Sequence, residues 1–277
     1  TPPGSAPPTL AAAARGGRRD RLRCRARLPA LRCQHRLPPE STSGIAGTSH
    51  LGDSMITLCY AAKGGSGTTV VACVRALTTP GPVLLVDVDG DVPAMLGLAD
   101  PDRPGVLDWL TSNAPLAHLD DLLVDATSNC SLLPATDRTL ATASTAPVDV
   151  DPLRWDELVD WFGEWCADTG GSVVIDAGTR PLPQSFVEQC PRRWLVTRAC
   201  YVALRRAGRH PISPTGVVLV DEPGHPLSSR DVETSLRTPI VTTVRWDVSV
   251  TRAVDGGLHL GSRLPRSLHR SLQQAAA

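Results

Sequence analysis

The sequence predicts an α/β domain, a doubly wound and mostly parallel sheet with helices on both faces, running from about Met55 to the C-terminus at residue 277. Three observations predict it. Short apolar runs recur along this region with segments of helical period between them. Several of those runs are unbroken Val, Ile and Leu, as strands buried on both faces require. The first run is joined to the first helical segment by a glycine-rich loop.

In chain order, the strands fall at 56–61, 83–87, 130–134, 172–176, 193–197, 216–220 and 239–244. The intervening helices are placed at 68–78, 104–112, 115–125, 151–168, 199–208, 227–236 and 247–255, with a last one near 264–275. The 151–168 stretch carries the plainest helical period, in Leu153, Leu158, Trp161, Phe162 and Trp165, and burial preference makes these core residues rather than a ligand platform. The Thr, Ala, Asp and Pro-rich stretch 135–150 is expected to be a surface loop.

Residues 1–54 are a different kind of sequence. They hold nine arginines against three acidic residues, a net of +6, so the neutral whole leaves −6 on the remainder. With no aromatic residue and no apolar period, this segment is expected to be disordered. It reads either as a basic arm for nucleic acid or anionic lipid, or as sequence ahead of a functional start at Met55. Arginines interrupt its apolar residues too often for a signal peptide.

The eight cysteines form no C-x-x-C pair and no zinc spacing, and read as reduced core residues. Nothing approaches the roughly 18 apolar residues of a membrane span, so a soluble, cytoplasmic domain is expected.

Chemistry concentrates at Lys63-Gly64-Gly65-Ser66-Gly67-Thr68-Thr69, between the first strand and the first helix. Glycines let backbone N–H groups turn inward, and a helix N-terminus adds partial positive charge, which together cradle a phosphate. Lys63 is the only lysine among 28 basic residues. A compact ammonium serves a phosphate pocket differently from a planar guanidinium, which favours a specific role over an incidental surface position. Thr69 ends the loop as a Mg²⁺-ligating hydroxyl would, and equally as a residue of a first helical turn.

Two aspartates follow the second predicted strand, Asp87 and Asp89, and Asp176 ends a later one. Each alone is also a common turn residue, and the three in order behind a phosphate loop form a stronger pattern. Asp91 is expected to cap the helix-like segment Val92-Pro-Ala-Met-Leu-Gly-Leu98.

The loop resembles the deviant phosphate-binding motif of the ParA/MinD family of ATPases, K-G-G-x-G-K-S/T, matching at Lys63, Gly64, Gly65, Gly67 and Thr69. It departs at Thr68, where the family has a second lysine that contacts the nucleotide of its own subunit. The resemblance implies ATP and Mg²⁺ as cofactors, and a nucleotide-dependent homodimer in which Lys63 reaches the partner's phosphates. It implies that Asp89 positions or activates water, that Asp87 supports the metal's surroundings, and that Asp176 holds Mg²⁺ through its water shell. Trp246 stands where relatives border the base, and is equally a candidate core tryptophan. An asparagine that relatives place near adenine, after the 216–220 strand, is missing.

Loss of a lysine that stabilises phosphoryl transfer should make hydrolysis slow or absent. The atypical pilus-assembly branch called CpaE or TadZ also tends to lack it. Two function classes therefore stand. One is a slow ATPase that positions a chromosome, septum, or secretion or pilus machinery. The other is a nucleotide-binding scaffold without turnover. An unidentified protein partner is implied in both. An amidoligase or reductase of the same fold finds no substrate motif, and Cys130 lacks the surroundings of an iron–sulfur ligand. The C-terminal leucines Leu264, Leu268 and Leu272, spaced by four among arginines, suggest either a helix packed on the domain or a membrane-surface helix at the inner face of the membrane. The −6 of this region gives no push toward DNA.

Overall fold

A computed structural model describes residues 56–99, 102–136, 150–256 and 266–274. The basic segment 1–54, Met55, most of the 135–150 loop, and Leu264 lie outside the described residues.

Among the described residues eight strands form one sheet: β1 (Ile56–Tyr60), β2 (Val83–Asp87), β3 (Val124–Asp125), β4 (Cys130–Leu133), β5 (Ser172–Asp176), β6 (Arg192–Arg198), β7 (Gly216–Asp221) and β8 (Ile240–Arg245). Their spatial order is β3-β4-β2-β5-β1-β6-β7-β8. Every pairing is parallel except β3 against β4. Among the described residues the helices are α1 (Thr68–Thr78), α2 (Val92–Leu96), α3 (Val106–Leu110), α4 (His118–Asp121), α5 (Pro152–Thr169), α6 (Gln184–Glu188), α7 (Tyr201–Ala207), α8 (Ser229–Leu236), α9 (Val248–Asp255) and α10 (Arg266–Gln274).

The central strands are apolar on both faces, and each face has its own helices. Ile56, Leu58 and Tyr60 of β1 join Trp155, Leu158 and Phe162 of α5 in one core. Cys59, one residue out of phase, joins Val71 and Val74 of α1 in the other, with Leu268 and Leu272 of α10. Alternation of side chains along a strand thus feeds two cores, which is what the unbroken apolar runs encode. On the β8 edge the pattern relaxes to alternating half-buried and exposed residues.

Local signals set the boundaries of α5. Asp151 caps its start by accepting from the Leu153 N–H, Pro152 fills the first turn, and Gly170 ends it at φ 65°. Its buried stripe runs through Trp155, Leu158, Val159, Phe162 and Cys166. Leu153, expected in that stripe, points to solvent because it lies before the first turn that packs.

The segment expected as a helix over 115–125 is instead the short α4 followed by the antiparallel edge strand β3. Arg103 donates to the carbonyls of Asp121 and Leu123, satisfying the end of α4. Val124 then pairs with Leu132. Two short helices, α2 and α6, come from segments of five residues, below the length at which a helical period is visible.

Candidate phosphate-binding site

In a parallel sheet of this kind, ligands bind beyond the C-terminal strand ends where the chain's winding reverses. Here that point is at β1: the chain winds from β1 to β2 and outward on one side, returns to β5, and then crosses over β1 to β6 and β7 on the other. The Lys63–Thr69 loop leaves β1 at this point.

The loop is built on two left-handed residues, Gly65 at φ 73° and Gly67 at φ 93°, conformations an L side chain resists. The Ser66 hydroxyl donates to the Lys63 carbonyl at 2.7 Å and closes the turn. Gly67 occupies the N-cap of α1 and has no side chain to cap it, and no acidic residue stands in the first turn. The helix therefore presents unsatisfied N–H groups and partial positive charge to the space above the loop. Thr68 and Thr69 are buried at this first turn. Lys63 is half-buried, and its ammonium donates to the adjacent Gly64 carbonyl at 3.2 Å.

Facing the loop, β2 and β5 end side by side, with Asp87 opposite Asp176. Both carboxylates are fully buried. Asp87 is committed to its own turn: Oδ1 accepts from the N–H groups of Asp89 and Gly90 at 3.1 and 2.7 Å, and Oδ2 from Val92 at 3.2 Å. Asp91 does stand at the N-cap of α2, but its side chain accepts no helix N–H; the Asp87 carboxylate performs that task from the strand end. Burial, opposed by the N–H groups of Gly90 and Val92, pushes the Asp87 carboxyl up to about 7.

Asp176 differs in having a free oxygen. Oδ1 accepts from the Gly178 N–H at 3.2 Å, while Oδ2 is buried and has no hydrogen-bond partner among the described residues. Burial and the neighbouring Asp87 raise its carboxyl well above the ordinary range. The Thr69 hydroxyl faces it from α1 and favours its charged form, without closing a well-formed hydrogen bond.

Asp89 is half-buried over Gly178. A Cβ added at Gly178 would fall 2.0 Å from the Asp89 carboxylate, so the absence of a side chain there lets the β2 and β5 loops close on each other. Burial and Asp91 raise the Asp89 carboxyl, and Arg180 opposes them.

These loops open on a cavity of about 430 Å³, within the usual range for small-molecule sites. The whole Lys63–Thr69 loop, Asp89 and Gly178 line one end. Asp87 and Asp176, buried at the adjoining strand ends, are not among the lining residues. The far end is formed by Arg198, Trp246 and the apolar Val250 and Val254 of α9. The Arg198 guanidinium lies 4.4 Å from the Trp246 ring centre and pairs with Glu222 at 2.9 Å, which His225 approaches at 3.2 Å. Trp246 packs in part against the core and also lines the cavity. Arg198, Thr179 and the α9 valines were not singled out as site residues by the sequence. They arrive from distant segments, and only the spacing of Val250 and Val254 by four hints at a shared face.

Thr69 and the free oxygen of Asp176 fit a magnesium ion, which is commonly held by one or two protein oxygens together with phosphates. Among the described residues no group of three or more His, Cys, Asp or Glu could hold a metal by itself.

Known structures share this architecture. A ParA family ATPase from Chlorobium tepidum superposes with a TM-score of 0.59 at 18% identity, covering 80% of this chain and 98% of that one. The septum site-determining protein MinD of Pyrococcus horikoshii, complexed with Mg-ADP, gives 0.61 at 18% identity over 80% and 94%. An ATP complex of McdA from Cyanothece gives 0.58 at 17% identity over 81% and 96%. No protein-family model matches the sequence, and no curated protein matches it. The chain has the fold of the ParA/MinD ATPases.

Proposed function

We propose that this protein binds Mg-ATP in the 430 Å³ cavity, dimerises in the nucleotide-bound state and hydrolyses slowly, working in the cytoplasm to position a cellular cargo. The observation that carries the reading is the pairing of a glycine loop at an uncapped helix N-terminus with a buried aspartate whose Oδ2 has no partner. The first offers N–H groups to phosphate. The second offers an anionic oxygen that only a cation or a donor would satisfy.

In this reading the Gly64–Gly67 backbone and the α1 terminus hold the phosphates. Thr69 and Asp176 hold Mg²⁺, whose contribution is to offset phosphate charge. Asp87 fixes the turn that aims Asp89 at the loop, and Asp89 orients the attacking water. Among the described residues Lys63 bonds only to its own loop, and it is free to turn toward phosphates shared with a second subunit. Trp246, backed by Arg198, offers a flat face for the base.

Thr68 supports the second reading, a nucleotide-bound localisation or assembly factor for a pilus or secretion complex, because it stands where a second lysine would contact the nucleotide of the same subunit. The two readings separate on ATP turnover by Thr68→Lys. A rise of about 10²-fold or more is expected of an otherwise intact site, and no rise over the parent protein would remove the slow-ATPase account.

A further inference from the structure

A second concavity, of about 460 Å³, lies on the other side of the phosphate loop's first residues, between Ala62 and α7. Val202, Arg205 and Arg206 of α7 line it at positions i, i+3 and i+4, on one face of the helix, and Arg209 joins them from the turn just past the helix's end. All three arginines are exposed, and among the described residues none is ion-paired. His210 closes one side, its Nδ1 accepting from the Ile212 N–H at 3.2 Å and its ring resting 5.1 Å from that of Tyr60. Arginines on an exposed helix are ordinarily just solvated. Here they share a hollow with the apolar Ala62, Val202 and Pro211 instead, and Val202 and its neighbour Tyr201 are 48% and 71% exposed. Arginines around a hollow, with an exposed Tyr next to it along the helix, are the composition of an interface centre.

We propose that this concavity docks an acidic, amphipathic segment of a partner protein, with carboxylates on Arg205, Arg206 and Arg209 and an apolar side chain against Val202 and Ala62. This inference does not rest on nucleotide binding. Charge complementarity selects the occupant, since three uncompensated guanidinium groups favour bidentate carboxylates. Nucleic acid fits less well. A seven-residue helix spans about 10 Å, shorter than a row of several phosphates, and residues 55–277 carry −6.

The test is fluorescence anisotropy on the full chain with a labelled twelve-residue peptide of Glu and Leu, beside its Gln-for-Glu counterpart. The triple variant Arg205→Ser, Arg206→Ser, Arg209→Ser should bind the acidic peptide about tenfold or more weakly. Tyr201→Ala, which keeps the charges, should weaken it about threefold, and the Gln peptide should not distinguish the proteins. The arginines of residues 1–54 are common to all of them and cancel in the comparison. Equal affinity of the parent and the triple variant for the acidic peptide overturns the proposal. So does a larger loss for a 20-base-pair DNA duplex or for phosphatidylglycerol vesicles than for the peptide, which would assign the surface to phosphates.

Discussion

Asp176 is the residue on which the account bears hardest, because it is costly to the folded chain unless a ligand repays it. Its carboxylate is fully buried beside that of Asp87, and one oxygen has no partner. Both carboxyls have folded-state values raised above their unfolded ones. Such groups oppose folding increasingly as the pH climbs from the ordinary carboxylate range, through about 7 for Asp87. Asp176→Asn should therefore raise the melting temperature of the nucleotide-free protein at neutral pH, with the gain shrinking toward pH 4. Each kcal/mol corresponds to about 2–4 °C in a domain of this size. The same variant should lose Mg-ATP binding, the usual exchange of function against stability at a site. Scanning calorimetry at the two pH values checks both the sign and the trend. Gly178 makes a complementary case: at φ 49° and in contact with Asp89, its replacement by Ala should swing the Asp89 carboxylate out of place. Nucleotide affinity should survive while any turnover falls about 10²-fold, as steady-state kinetics would show.

Among the elements, α10 is where sequence and structure inform each other most. The leucine spacing allowed two destinations, and Leu268 and Leu272 are both buried in the core formed by α1 and the sheet. The Ser271 carbonyl also accepts from the Thr242 hydroxyl of β8 at 2.9 Å. In this arrangement those leucines are not offered to a lipid surface. Leu272→Ala should destabilise the domain by about 2–5 kcal/mol, measured by urea titration. A loss within about 0.5 kcal/mol, the level of a surface substitution, would contradict the packing. The strands were legible because buried parallel strands write themselves as unbroken apolar runs, as in Val83–Asp87 and Ser172–Asp176. The helix 115–125 was misread because Leu119, Leu122 and Leu123 keep a helical spacing into a segment whose backbone turns to pair with β4. What decides that pairing is the side of β4 that β2 leaves open, a tertiary fact with no local signature.

At the scale of the whole molecule, the phosphate end of the cavity was legible and the other end was not. Lys63 to Thr69, Asp87, Asp89 and Asp176 belong to short motifs at strand ends, so sequence order alone brought them together. Arg198, Trp246 and α9 meet that motif only through the pairing of β6, β7 and β8 beside β1, and residue types gave no warning that Arg198, paired with Glu222, would lie over the tryptophan. The likeness to ParA, MinD and McdA structures at 17–18% identity describes the fold, so the function rests on the site itself. Its most direct test is titration calorimetry of the full chain with ATP and Mg²⁺, beside Lys63→Ala, with mass followed by light scattering. The account predicts that the parent protein binds ATP and doubles in mass, and that the variant does not form the dimer. Absence of ATP and ADP binding to the parent would contradict it, leaving the glycine loop as a structural turn in a scaffold protein.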